Sequence, residues 1–183
     1  EAGSVFVLYG HDKFDKAEYN ISDINIGITI TLKNYWHRYN HYSVPLDFGY
    51  DVNGDDLADL IIGCSHTHDG FDKEHGGDAF IIFGIYDPLF AGPKEIYIPE
   101  DIGGERAVSL SSHKPYTDST GTSLSFIGDI NDDGYADAII GSPYDNRNQN
   151  GVAYVVFGRN YFGSDVPLLT LNATTGFKIA ANL

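Results

Sequence analysis

The sequence predicts an all-β fold in which short antiparallel strands repeat in units of four, and two observations carry that expectation. A glycine-bounded apolar run, Gly3-Ser-Val-Phe-Val-Leu-Tyr-Gly10, recurs as Gly77-Asp-Ala-Phe-Ile-Ile-Phe-Gly84 and again as Gly151-Val-Ala-Tyr-Val-Val-Phe-Gly158, 74 residues apart both times. β-Branched and aromatic runs closed by glycine read as buried strands. An acidic stretch also occurs twice, 78 residues apart, as Asp51-Val-Asn53-Gly-Asp55-Asp-Leu57-Ala-Asp59 and Asp129-Ile-Asn131-Asp-Asp133-Gly-Tyr135-Ala-Asp137. The mismatch of four residues sits in the link from Gly63 to Gly77, which is longer than the link from Gly141 to Gly151.

Taken in order, the chain opens on the first glycine-bounded strand. Ile24–Leu32 partly alternates apolar and polar residues, as an outer strand does. Pro45, beside the next inner strand, marks a bulge or a strand end. The first acidic loop follows, then the apolar run Ala58–Gly63, the third strand Gly77–Gly84 and a fourth at Glu95–Ile98. The second unit is clearer. Ser123–Gly128 enters the loop and Ala136–Gly141 leaves it, a polar link runs to Asn150, Val152–Phe157 forms the third strand and Val166–Leu171 the fourth. Thr175–Ala180 reads as the lead-in to another unit. Four antiparallel strands in a period above about 60 residues describe a β-propeller blade; a sandwich does not repeat a whole four-strand unit with the same glycines. The expected organisation is one propeller segment over 1–183: a partial blade at 1–32, blades at about 40–98 and 121–171, and a lead-in at 172–183. With no methionine, even at position 1, the chain reads as a processed or excised piece of a larger one.

The acidic loops carry the chemistry. Oxygen-bearing side chains stand at loop positions 1, 3, 5 and 9, and the backbone carbonyl at position 7 is a natural fifth donor. Ca²⁺ takes about six to eight oxygen ligands, which a loop folding back on itself supplies from alternate residues. An EF-hand needs a glutamate at position 12 and flanking helices. Position 12 is Ile62 in one loop and Ile140 in the other, and both are followed by strand-like runs, so that reading fails. Ordinary turn chemistry also gathers Asp, Asn and Gly, but not twice in the same frame. The first loop has Asp56 where the second has Gly134, a position that favours a left-handed backbone, so the first site is expected to be the weaker unless Gly54 shifts the turn.

Strand, Asp-x-Asn-x-Asp-Gly-Tyr-x-Asp, Ile-Ile-Gly-Ser-Pro and Gly-x-x-Tyr-x-x-Phe-Gly together resemble the FG-GAP repeat, which builds the seven-bladed propeller of integrin α-subunits. The likeness covers nearly the whole chain. It implies that Asp51, Asn53, Asp55, Leu57 and Asp59 hold one Ca²⁺, and that Asp129, Asn131, Asp133, Tyr135 and Asp137 hold a second, with Leu57 and Tyr135 acting through their carbonyls. It further implies an extracellular or cell-surface adhesion protein, structural calcium, protein or glycan ligands on the loop faces, and remaining blades from the same parent. The repeat also occurs in the propeller of glycosylphosphatidylinositol-specific phospholipase D, so the non-catalytic propeller portion of a secreted hydrolase is the alternative. The first copy departs from the pattern at Cys64-Ser65-His66, where the second has Gly141-Ser142-Pro143.

Composition excludes several classes. The net charge is −15, and two divalent ions (+4) bring it to −11. Such a surface opposes nucleic acid and anionic membranes, both of which need basic contacts. Cys64 is the lone cysteine and reads as a buried thiol, with a bridge outside the chain as the other option. No apolar run approaches the length of a transmembrane helix. No nucleophile elbow or phosphate loop is present, so no catalytic residue is expected here. His66, His68 and His75 could hold Zn²⁺ but read more simply as histidines of a solvent loop. Tyr35–Tyr42, with Trp36 before His37 and with Arg38 and Tyr39 between His37 and His41, is the candidate recognition loop. Asn20-Ile-Ser22 and Asn172-Ala-Thr174 are N-glycosylation sequons.

Overall fold

The computed structural model describes residues 3–8, 27–32, 44–68, 74–85, 94–98, 102, 106–112, 119–144 and 151–180. These form strands β1 (Gly3–Leu8), β2 (Gly27–Leu32), β3 (Leu46–Tyr50), β4 (Asp59–His68), β5 (Glu74–Ile82), β6 (Lys94–Ile98), β7 (Ala107–Ser111), β8 (Ser123–Gly128), β9 (Asp137–Ser142), β10 (Val152–Val156), β11 (Asp165–Pro167) and β12 (Gly176–Ala180). Among the described residues a 3₁₀ turn also forms, at Leu168–Thr170. No helix among the described residues is long and apolar enough to cross a membrane.

Three sheets result, ordered β1-β2-β6, β11-β7-β5-β4-β3 and β12-β10-β9-β8. The second and third are blades. In each, an inner strand (β3 or β8) pairs antiparallel with the strand leaving the acidic loop (β4 or β9), which pairs with the glycine-bounded strand (β5 or β10). The first sheet holds the glycine-bounded strand β1 antiparallel to β2, and β2, expected as an outer strand, lies instead between β1 and β6. Pro45 stands just before β3, a strand end, and its carbonyl accepts from Gly63 N at 2.9 Å. Both inner strands slip register near their loop, at Phe48/Tyr50 and Phe126/Gly128.

The fourth strands differ from expectation. Glu95–Ile98 and Val166–Leu171 do not complete their own blades. β6 runs parallel to β2, and β11 runs parallel to β7, so each crosses back to the outer edge of the preceding sheet. Val166–Leu171 is not one strand either, because the chain turns at Leu168. The true outer strands are β7 and β12, antiparallel to β5 and β10. Thr175–Ala180 therefore closes the last blade rather than leading into another. The physical reason is that an apolar alternation shows a strand is buried on one face, while backbone pairing groups are alike in every strand and do not name a neighbour.

The sheets pack face to face through two cores. One joins the first and second sheets through Ile30, Leu60, Ile62, Phe80, Ile96 and Ile98. The crossing strand β6 fills it, with Ile96 and Ile98 fully buried. The other joins the second and third through Ile61, Ile81, Leu110, Phe126, Ile140 and Tyr154. Cys64 is free and buried in the first core, as its apolar setting predicts, and burial raises its thiol pKa to about 12. The outward face of the third sheet is open. Phe177 and Ile179 are 41% and 53% exposed, whereas Val108 and Leu110, which hold the same register in the second sheet, are at 0%.

Candidate functional site

The two acidic loops span the tips between β3 and β4 and between β8 and β9, at the same end of successive blades. Their hydrogen bonds correspond position by position. The carboxylate at position 1 accepts backbone N–H groups across the turn: Asp51 Oδ1 from Asp55 N at 3.2 Å and Oδ2 from Asp56 N at 2.8 Å, Asp129 Oδ1 from Asp133 N at 3.1 Å and Oδ2 from Gly134 N at 2.8 Å. Asn53 Nδ2 donates to Asp55 Oδ2 at 2.9 Å, and Asn131 Nδ2 to Asp133 Oδ2 at 2.8 Å. Asp55 Oδ1 accepts from Leu57 N at 2.8 Å, and Asp133 Oδ1 from Tyr135 N at 3.0 Å.

Position 9 anchors each loop. Asp59 Oδ2 accepts from Val52 N and its Oδ1 from Gly84 N, both at 2.8 Å. Asp137 does the same with Ile130 N and Gly158 N, both at 2.9 Å. These carboxylates are buried, and burial, together with the negative charge of Asp55 and Asp51, pushes the pKa of Asp59 up to about 6 against its hydrogen bonds. The Asp137 pKa is raised for the same reasons, with Asp133 and Asp129 as its charged neighbours. Asp129, exposed, moves the other way, held down chiefly by the Gly134 N–H. Each loop thus presses two further carboxylates toward a buried one, an arrangement that a cation relieves.

The expected weakness of the first loop loses its basis. Both loops use left-handed backbone at positions 4 and 6, and each places one glycine and one aspartate there: Gly54 (φ 79°) and Asp56 (φ 64°), Asp132 (φ 63°) and Gly134 (φ 92°). The turn is not shifted; the two residue types are exchanged. The exchange has a steric cause. A Cβ on Gly54 would stand 2.6 Å from Tyr135 Cε1, because the Tyr135 ring of the neighbouring loop lies against it, while a Cβ on Gly134 meets nothing within 4 Å.

The first loop is also bonded to the next blade. Ala136 N donates to Asp51 O at 3.0 Å, and Arg159 N to Val52 O at 2.9 Å. Val52 is buried in the core between the two blades. On the inner strands, Asp47 Oδ2 accepts from Ser125 Oγ at 2.7 Å and from Phe126 N at 2.9 Å. At the opposite end Gly63 and Gly77 leave room for the backbone carbonyls of Gly121 and Thr120. Sequence reasoning missed these inter-blade roles. For the anchoring of position 9 by Gly84 and Gly158 within each blade the signal was present, since these glycines close the repeated runs. For Asp47 there was none, because its register counterpart in the third sheet is Ser125.

The donor set fits a hard cation in kind: carboxylate, carboxamide and carbonyl oxygens, without nitrogen or sulfur ligands. Among the described residues no group of three or more His, Cys, Asp or Glu is arranged to hold a metal ion; the loop carboxylates face backbone N–H groups. His66 and His68 extend β4 rather than lie in a loop, and His75 pairs opposite Thr67, out of phase with both. The candidate recognition loop Tyr35–Tyr42 and the sequon at Asn20 lie outside the described residues.

Residues 120–156 match the FG-GAP repeat family. The chain is 34% identical to integrin alpha-PS2 of Drosophila melanogaster over 116 residues, 61% of this chain and 8% of that protein. It is 32% identical to integrin alpha-PS5 of the same organism over 136 residues, 74% of this chain and 11% of the other. Integrin alpha-V of Gallus gallus is 27% identical over 117 residues, 61% of this chain and 10% of that protein. The chain therefore corresponds to about a tenth of the relatives it matches.

Proposed function

From a chain that carries an FG-GAP repeat, is built of β-propeller blades and is similar to integrin α-chains, we propose a Ca²⁺-binding segment of an extracellular or cell-surface adhesion protein. Its ions are structural, and its own residues bind rather than catalyse. One observation supports this most: two loops share one set of oxygen donors and one bond pattern, and the first is tied to the next blade through Asp51 and Val52. An ion held by Asp51, Asn53, Asp55, Asp59 and the Leu57 carbonyl would fix that loop, and with it the contact between blades. Asp129, Asn131, Asp133, Asp137 and the Tyr135 carbonyl would do the same for the second loop. The carboxylates would turn part of their lone-pair capacity from backbone N–H groups to the ion. The open face at Phe177 and Ile179 suits a further blade of the parent, and protein or glycan ligands would be taken by the loops at the blade ends.

Calorimetric titration of the chain with CaCl₂ tests the reading. Two bound ions are expected, falling to one in Asp55→Ala and one in Asp133→Ala. Absence of binding at millimolar calcium, where extracellular modules are filled, would sink it.

A further inference from the structure

The sequon Asn172-Ala173-Thr174 falls in the turn between the 3₁₀ segment and β12, and all three residues are exposed. The turn is held by its own hydrogen bonds. Asn172 O accepts from Thr175 N and from Gly176 N, each at 2.9 Å, and Asn172 N donates to Thr175 Oγ1 at 3.0 Å. Asn172 Oδ1 accepts from Thr174 N at 2.9 Å and from Thr174 Oγ1 at 2.7 Å. These bonds engage both oxygens and the backbone N–H of Asn172, and they leave the carboxamide nitrogen outside the network.

We propose that Asn172 is an N-glycosylation site, and that its glycan stands at the end of the last blade that carries the acidic loops. The proposal rests on the reading that the protein follows a secretory route. The placement comes from the topology. Phe157 N donates to Thr175 O at 3.1 Å, beside the Gly158 N–H that Asp137 accepts, so the turn lies next to the anchor of the second acidic loop. In the transfer, Asn172 Nδ2 forms a bond to C1 of the first sugar of a lipid-linked oligosaccharide. The C1–O bond to the lipid pyrophosphate breaks, the pyrophosphate leaves with its electron pair, and the amide proton passes to a base of the transferase. Retention of the glycan displaces nothing, because none of the three sequon residues is packed in either core. A bulky solvated chain here screens the acidic-loop end from protein partners and leaves the opposite end, where the β4–β5 and β9–β10 links lie, as the accessible one.

The test is peptide mapping of the full chain secreted from a eukaryotic host behind a host signal peptide. Enzymatic deglycosylation in ¹⁸O water should convert Asn172 to labelled aspartate in most molecules. Thr174→Ala should abolish the label and Thr174→Ser should keep part of it, since serine retains the hydroxyl the transferase requires. Secreted wild-type chain with unlabelled Asn172 overturns the proposal whatever the variants do. The map is read whether or not the chain binds calcium, so a bare Asn172 removes this site alone and leaves the proposed function standing.

Discussion

Gly54 and Asp56 in one loop, and Asp132 and Gly134 in the other, show how single residues divide a shared geometry. All four occupy left-handed backbone, where a side chain other than Asp or Asn is strained. Gly134→Ala should cost about 1 kcal/mol, the conformational penalty alone. Gly54→Ala should cost about 2–3 kcal/mol, since the new methyl also displaces the Tyr135 ring. Urea denaturation of the two variants measures the difference, and equal costs would disprove the packing argument. From sequence, Asp56 looked like a defect; only the neighbouring ring shows why glycine is needed at position 4 of this loop and can be spared at position 6.

At the scale of elements, the junction between β3 and β8 depends on Asp47. Its carboxylate is partly desolvated, but the Ser125 hydroxyl and the Phe126 and Phe48 N–H groups more than offset that and hold its pKa below the usual value of 3.8. Asp47→Ala leaves those donors without their acceptor and should destabilise by about 1–2 kcal/mol. A double-mutant cycle with Ser125→Ala should return a coupling of about 1 kcal/mol, and additive effects would show that the contact carries none. The pH dependence follows from the sign of the shift. A depressed carboxylate contributes stability that is present above its unfolded pKa and lost as the pH falls through its folded one. Wild type should therefore lose stability relative to Asp47→Ala below about pH 4, read as converging melting temperatures. The crossing strands act at this scale too. β6 and β11 each leave their repeat to pair with the preceding sheet, so neighbouring blades share backbone hydrogen bonds as well as a core.

For the whole molecule, the proposed ions and the two inter-sheet cores act together. If both loops bind calcium at about ten times their Kd, the linkage contributes about 3 kcal/mol, or roughly 6–12 °C in melting temperature for a chain of this size. Excess EDTA should remove that increment, and readdition of Ca²⁺ should restore it. A melting curve indifferent to both would refute the structural role assigned to the loops. Because the first loop is bonded to the third sheet, Asp55→Ala should loosen the inter-blade contact, seen as faster amide exchange at Ala136 and Arg159.

What the sequence by itself determined was local. Glycine-bounded β-branched runs specified β1, β5 and β10, the spacing of Asp and Asn specified both loops, and the lone cysteine in an apolar run specified a buried thiol. These follow from side-chain chemistry and backbone preference within a few residues, and repetition made them legible. The tertiary structure decided which sheet each later strand joined. Glu95–Ile98 and Val166–Leu171 were read as fourth strands, but β6 and β11, which form there, have their partners in the preceding sheet, while Ala107–Ser111 and Gly176–Ala180 took the outer places. It likewise decided that Gly54 lies under Tyr135 and that Asp47 serves the next blade. Contacts between sheets depend on the distances at which whole blades stack, and no short-range pattern in the chain encodes them, because every strand edge offers the same N–H and C=O groups.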